Sequence, residues 1–289
     1  MTVNWNRWGK ADERGALNLI SAEKTLAAAG LVREGRVFEL AQPIFPGMNI
    51  PGHRAGVMHF MGRDGGDYAA GARQPGGFQF AEDTLVMPLH AGTHMDALCH
   101  CWHDDRLYNG FPQNGVRSRG AERLGIEKAG PVVTRGILLD FVKLCGQPLD
   151  DARVIGAELL AEAIAAAETD LQPGDAVLLR TGWMEQRGAA AAPDYNAEPG
   201  IDLAAAEMLS QAGVALVGAD NFAVEVLPFP DGTVFPVHQH LIRDSGIPLL
   251  ENLVLAPLAD AGCTAFMFAM AALPIRGATA SPVNPMAIL

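Results

Sequence analysis

The residues best equipped for chemistry lie in one short run, His90-Ala91-Gly92-Thr93-His94-Met95-Asp96-Ala97-Leu98-Cys99-His100. Two imidazoles four apart, with a carboxylate two residues further on, can converge on one ion if the backbone turns there. Gly92 permits such a turn. Neutral imidazole and carboxylate suit zinc, manganese or iron. Of the eight histidines in the chain, four fall between residues 90 and 103, which sets this run apart from scattered core or surface histidines. The HExxH pattern of zinc peptidases, the G-x-S-x-G serine elbow and the Walker and Rossmann glycine fingerprints are all missing from the sequence.

An open site for a divalent ion brings the pKa of bound water to about 7, which makes hydroxide available at neutral pH. Hydroxide adds to an acyl carbonyl. His100, four residues past Asp96, is the candidate to take a proton from the nucleophile and deliver it to the leaving group, because imidazole titrates near the working pH. An amide needs that second transfer, since an amide anion is a very poor leaving group. Cys99 and Cys101 sit among the histidines, but Cys-x-Cys has no second thiol pair to close a zinc site. With Cys145 and Cys263 they are expected to be reduced and buried thiols. His103 is expected to face solvent or to sit just outside the ligands, and His53 and His59 to be ordinary loop histidines.

The elements that must position this run are a mixture of strands and helices. Short apolar stretches bounded by Gly, Pro or charge predict strands at Arg36–Ala41, Thr84–Leu89, Val132–Asp140, Ala176–Arg180, Val214–Gly218 and Ala265–Ala269. The Thr84–Leu89 stretch would lead straight into the histidines. Helices are predicted at Ala22–Ala29, at Gly156–Glu168, where Leu159, Leu160, Ala163 and Ile164 recur with helical spacing, and at Leu203–Ala212. Asp202 caps the last of these and Gly213 ends it. This predicts one α/β domain over residues 1–289. Residues 42–80 break the pattern with many Gly and Pro, and long irregular segments often serve as lids. The segment is expected to be a lid or an oligomer contact, with Phe45, Phe60 and Met61 lining a substrate pocket. Gly188 to Pro193 reads as an alanine-rich connection.

The balance of residues narrows the partners. Hydrophobic residues make up 49% of the chain and charged residues 19%, a globular rather than a disordered composition. The formal net charge of −12 disfavours nucleic acid and anionic membrane surfaces. No apolar run is long enough to span a membrane, and the first residues lack the layout of a signal peptide. A cytoplasmic enzyme acting on a small molecule is expected.

The run His90-x-x-Thr93-His94-x-Asp96-x-x-x-His100 resembles the signature of the cyclase superfamily, which includes bacterial kynurenine formamidase and isatin hydrolase. Pro43-Ile44-Phe45-Pro46-Gly47-Met48, Gly174-Asp175 through Gly182-Trp183, Val217-Gly218-Ala219-Asp220-Asn221 and Ser281-Pro282-Val283 are similar to further segments of that family. Asn4-Trp5, Arg7-Trp8-Gly9 and Tyr108-Asn109-Gly110-Phe111-Pro112 resemble a longer branch that includes imidases and lactone hydrolases. The resemblance implies a swivelling β/β/α fold, in which a small closed sheet packs with helices. It implies that His90, His94 and Asp96 hold a divalent ion, Zn2+ or Mn2+, that His100 is the acid/base, and that the protein forms a homo-oligomer, a dimer or tetramer. Some members hold a second ion through a later His and Glu. Here the candidates are His238 and Glu251, with His240 competing for the histidine place because the spacing departs by one residue. The reaction implied is hydrolysis of a small cyclic amide or imide, with lactones and open-chain formamides as alternatives. A metal- or ligand-binding protein without catalysis is the alternative of another class, and His100 argues against it, since binding alone needs no proton shuttle.

Overall fold

The computed structural model describes residues 4–187 and 193–289, so most of the alanine-rich connection lies outside the described residues. The backbone of the molecule is a nine-stranded sheet. From edge to edge its strands are Val37–Glu39, Met286–Ile288, Ala265–Ala271, Pro131–Asp140, Ala176–Arg180, Leu216–Ala219, Leu249–Glu251, His94–Asp96 and Ala280–Pro282. The four strands from Pro131–Asp140 to Leu249–Glu251 run parallel. The flanking pairs are antiparallel. The parallel centre explains its sequences. Ala176-Val-Leu-Leu179 and Leu216–Ala219 are buried along their length, and strands covered on both faces read as continuous apolar runs. This is the expected mixed α/β class, with a wider sheet than a small closed one.

The helices form where local signals are strongest. Ser21 accepts a hydrogen bond from the Lys24 amide and starts Ala22–Ala29. Thr25 ties that helix to the sheet by donating to the Val133 carbonyl at 2.8 Å. Asp202 caps Leu203–Ala212 through the Ala205 amide at 2.9 Å, and Gly213 ends it at φ +76°, a left-handed conformation that suits glycine. The helix Ala157–Ala166 buries Leu160 and Ala163. A short helix, Pro236–His238, continues as a π-turn over Gln239–Asp244. One apolar core takes in residues from Ala16 to Leu289.

Two expectations change. The strand expected at Thr84–Leu89 is Glu82–Val86, and it lies outside the main sheet. It pairs with Met58–Arg63 in an antiparallel hairpin, and every residue of it is exposed. The irregular segment 42–80 therefore contributes half of this hairpin and a short helix, Gly65–Ala69, capped by Asp64. Phe45, Phe60 and Met61 are all about half exposed here, at 53%, 55% and 49%.

Candidate active site

Strand geometry assembles the site. Side chains alternate along a strand, so His94 and Asp96 share one face and Met95 takes the other. Met95 is buried in the core. Glu251 is paired with His94 in the antiparallel register, so its side chain stands on the same face. His94 Nε2 lies 3.1 Å from Glu251 Oε2 and 3.6 Å from Asp96 Oδ1. Gly92, at φ +61°, turns the chain ahead of this strand. Its carbonyl receives His94 Nδ1 at 2.8 Å and the Asn252 amide at 3.2 Å. His94 is thereby held with Nε2 toward the carboxylates.

The neighbouring loops bring the remaining groups. His90 Nδ1 is 2.9 Å from Asp96 Oδ1, and His100 Nε2 is 3.9 Å from Asp96 Oδ2. His238 Nε2 comes from the short helix and lies 3.8 Å from Asp96 Oδ2 and 3.4 Å from Glu251 Oε1. His90, Asp96 and His100 form one set of potential ligands within 4.8 Å of one another, and Asp96, His238 and Glu251 form a second. Asp96 belongs to both. His240 points elsewhere, with Nε2 2.8 Å from Ser210 Oγ. Residues two apart on a helix are rotated by about 200°, so only one of the two histidines can face Asp96.

Asp96 and Glu251 are two buried carboxylates in one site. Burial alone would push the Asp96 carboxyl up, but the His100, His90 and His94 imidazoles outweigh it and hold it well below the usual range. Burial and Asp96 push Glu251 up, and the His238 and His94 imidazoles beside it bring it below its ordinary value. His94 Nε2 and both Asp96 oxygens are buried without hydrogen-bond partners among the described residues. The His94–Glu251 approach is close but not in hydrogen-bond geometry. Buried polar atoms almost always have partners, and a cation among these donors would supply one. The set of imidazoles and carboxylates fits a divalent transition ion.

His100 differs from its neighbours. Burial pushes its pKa down to about 4, with Asp96 pulling up and His90 and His238 pushing down, so it is neutral at pH 7 instead of titrating near the working pH as the sequence suggests. Its side chain is 30% exposed, and it lines a cavity of about 990 Å³ together with His238, Glu251, Cys101 and Trp102. The cavity walls carry Tyr195, Phe222, Phe229 and Phe235. Phe45, Phe60 and Met61 are absent from its lining. They are replaced by aromatic residues from the chain after residue 193, which only tertiary packing brings here. His53 does line the cavity. His59 instead meets Asp83 at 2.7 Å on the exposed hairpin, and His103 is exposed beside Asp104.

Two more residues escape a reading of the sequence. Glu225 is buried and accepts hydrogen bonds from the Val237 and His238 amides, each at 3.1 Å, and from His238 Nδ1. Its one local signal is a carboxylate inside the apolar run Val224-Glu225-Val226. Burial pushes the His238 pKa down, but Glu225 and Glu251 together hold it well above its ordinary value. Arg54 lines the cavity and donates from Nη1 to the His90 carbonyl. Nothing in the local sequence distinguishes it.

The family model described as "Putative cyclase" matches residues 38–226, more than half of the chain. The chain belongs to that cyclase family. A solved structure described as a novel cyclase is 34% identical, with a TM-score of 0.92, over 100% of this chain and 98% of its own. Isatin hydrolase A from Ralstonia solanacearum shares the fold at 21% identity and a TM-score of 0.65, over 92% of this chain and 97% of its own. So does a "predicted metal-dependent hydrolase" from Bacillus stearothermophilus, at 20% identity and a TM-score of 0.55, over 87% of this chain and 97% of its own. Comparison with curated proteins gave no match. Among the described residues of this cyclase-family chain, no helix is long and apolar enough to cross a membrane.

Proposed function

We propose that the chain is a metal-dependent hydrolase that opens a small cyclic amide or imide at its C–N bond. The observation that carries this reading is the cluster around Asp96. Buried imidazoles and carboxylates meet there at the cavity floor, and three of their polar atoms lack hydrogen-bond partners among the described residues. His90, His94 and Asp96 would hold one Zn2+ or Mn2+ ion, and His238 and Glu251 with Asp96 a second. A divalent ion held there supplies Lewis acidity and brings the pKa of water to about 7.

The chain's own residues supply the rest. Neutral His100 accepts a proton at Nε2 as water adds to the acyl carbon, and returns it to the leaving nitrogen. Glu225 fixes the ring of His238. Phe222, Phe229 and Phe235 form an apolar wall that suits a flat ring and thins the water around it. Two fold neighbours are described as an isatin hydrolase and a "predicted metal-dependent hydrolase", which favours hydrolysis. Phe60, Met61 and Phe80 stand exposed on or beside the hairpin, which favours a homo-oligomer contact there, in a dimer or tetramer. A cytoplasmic setting completes the reading.

The test is kcat/KM for a matched cyclic imide and lactone of equal ring size, with an N-formyl aniline beside them. Turnover of the imide above its intrinsic reactivity toward hydroxide supports the proposal. A lactone preference beyond the intrinsic difference moves the activity to C–O bonds. Turnover of the N-formyl aniline alone moves it to open-chain formamides.

A further inference from the structure

Arg54 is the one Arg or Lys on the cavity lining among the described residues. It follows a turn in which its own amide donates to the Pro51 carbonyl at 2.9 Å. Its guanidinium lies over the Phe222 ring, 5.2 Å from the centroid. Nη1 donates to the His90 carbonyl, so the group sits one hydrogen bond from the backbone of a histidine that faces Asp96. That is its only hydrogen bond to a described residue. A guanidinium carries five N–H donors in a rigid fork, so most of the fork is unspent. Tyr195 shares the same platform, edge-on to Phe222 with ring centroids 5.1 Å apart. Its hydroxyl makes no hydrogen bond to any described residue, and it too lines the cavity.

A purely structural Arg54 would spend its donors on protein. This one is immobilised on an aromatic face and by one backbone contact, with its remaining N–H groups beside a largely apolar space. Planar, bidentate recognition of a carboxylate is what such a fork does best. We propose that Arg54, on its Phe222 platform, forms a carboxylate subsite, so that the substrate is a small ring bearing a carboxylate beside its scissile acyl group. This inference rests on the hydrolase reading for the word substrate, but not for the binding itself. A metal on the cavity floor would take up the charges of Asp96 and Glu251, and Arg54 is placed to hold the anion's charged end at the wall instead.

Calorimetric titration of the metal-loaded protein with benzoate, and with neutral benzamide of nearly the same shape, tests the subsite. Neither probe is hydrolysed at a ring bond, so the measurement reads Arg54 whether or not the protein opens imides. Wild type should prefer benzoate. Arg54→Gln should weaken benzoate by at least about tenfold, the usual worth of a charged hydrogen bond, while benzamide binding holds. Arg54→Lys, which keeps the charge but loses the fork, should fall between, and its thermal melt guards against a folding defect. Equal benzoate affinity in wild type and Arg54→Gln, as expected if benzoate sits on the metal centre alone, overturns the proposal. So does an equal loss of both probes, which would mark Arg54 as a support for His90, or a wild type that does not prefer benzoate.

Discussion

His94 and Glu251 are register partners on adjacent antiparallel strands, and their side chains meet at 3.1 Å on the face that also carries Asp96. One backbone pairing therefore aligns an imidazole and a carboxylate toward a shared point. Glu251 also lies 3.4 Å from His238, with which it shares the second potential ligand set, and Asp96 joins that set to the first. Glu251→Gln keeps the shape and removes a charge. It should lower bound divalent metal by up to one equivalent per subunit and leave the remainder with His90 and Asp96. Elemental analysis of the purified variant reads this, and metal content equal to wild type would remove Glu251 from the ligand set.

His100 is neutral at pH 7 because burial pushes its pKa to about 4. It reaches Asp96 only at 3.9 Å, and it faces the cavity. His100→Asn should keep the metal and lose about 10²–10⁴-fold in kcat. Steady-state rates with metal content measured on the same sample decide it. Full kcat across the pH range would make His100 structural.

Glu225 accepts from His238 Nδ1 and from two backbone amides at the start of the short helix. A carboxylate behind a ligating histidine fixes its tautomer and raises its basicity. Glu225→Gln should weaken binding of the second ion by about 10–100-fold and leave the first ion unaffected. Competition against a metallochromic chelator measures both. Unchanged affinity at the second site would show that the ring of His238 is held by packing alone.

Asp220 gives a pH prediction away from the metal cluster. It accepts from the Thr181 amide and hydroxyl and from the Gly182 amide. Burial outweighs those donors and pushes its carboxyl from an ordinary 3.8 up to about 6. A carboxyl raised in the fold contributes most below its unfolded value and loses that contribution as pH rises through the folded one. At about 1.36 kcal/mol per unit, roughly 3 kcal/mol is withdrawn between about pH 4 and 7. Asp220→Asn cannot ionise, so denaturant unfolding should show the gap between wild type and variant shifting by about that amount in the variant's favour over this range. A gap independent of pH would mean that the hydrogen bonds, not burial, set the Asp220 pKa.

How far the sequence is legible follows from which signals are local. Ala176–Arg180 and Leu203–Ala212 coincide with their expected bounds, because an apolar run, an Asp cap and a terminal Gly all act within one element. His94–Asp96 and Leu249–Glu251 are three residues each, too short for periodicity, and both place polar side chains on a buried face. Thr84–Leu89 misleads because an apolar stretch looks the same in a core strand and in an exposed hairpin. The crowding of His90, His94, Asp96 and His100 is visible as spacing, and the four do meet. The aromatic wall and Arg54 are not, since Phe222, Phe235 and Arg54 come together only through the fold. His238 and His240 are equal in sequence, and a rotation of roughly half a helical turn separates them.

Hydrolysis is expected to depend on an ion held around Asp96. Stripping the purified protein with a chelator and titrating Zn2+ or Mn2+ back, while following the opening of a cyclic imide, tests it most directly. The rate should start near zero, rise with added metal and saturate at one or two equivalents per subunit, with Asp96→Asn failing to recover at any loading. Undiminished imide opening by the metal-free protein would show that the reaction needs no ion at Asp96.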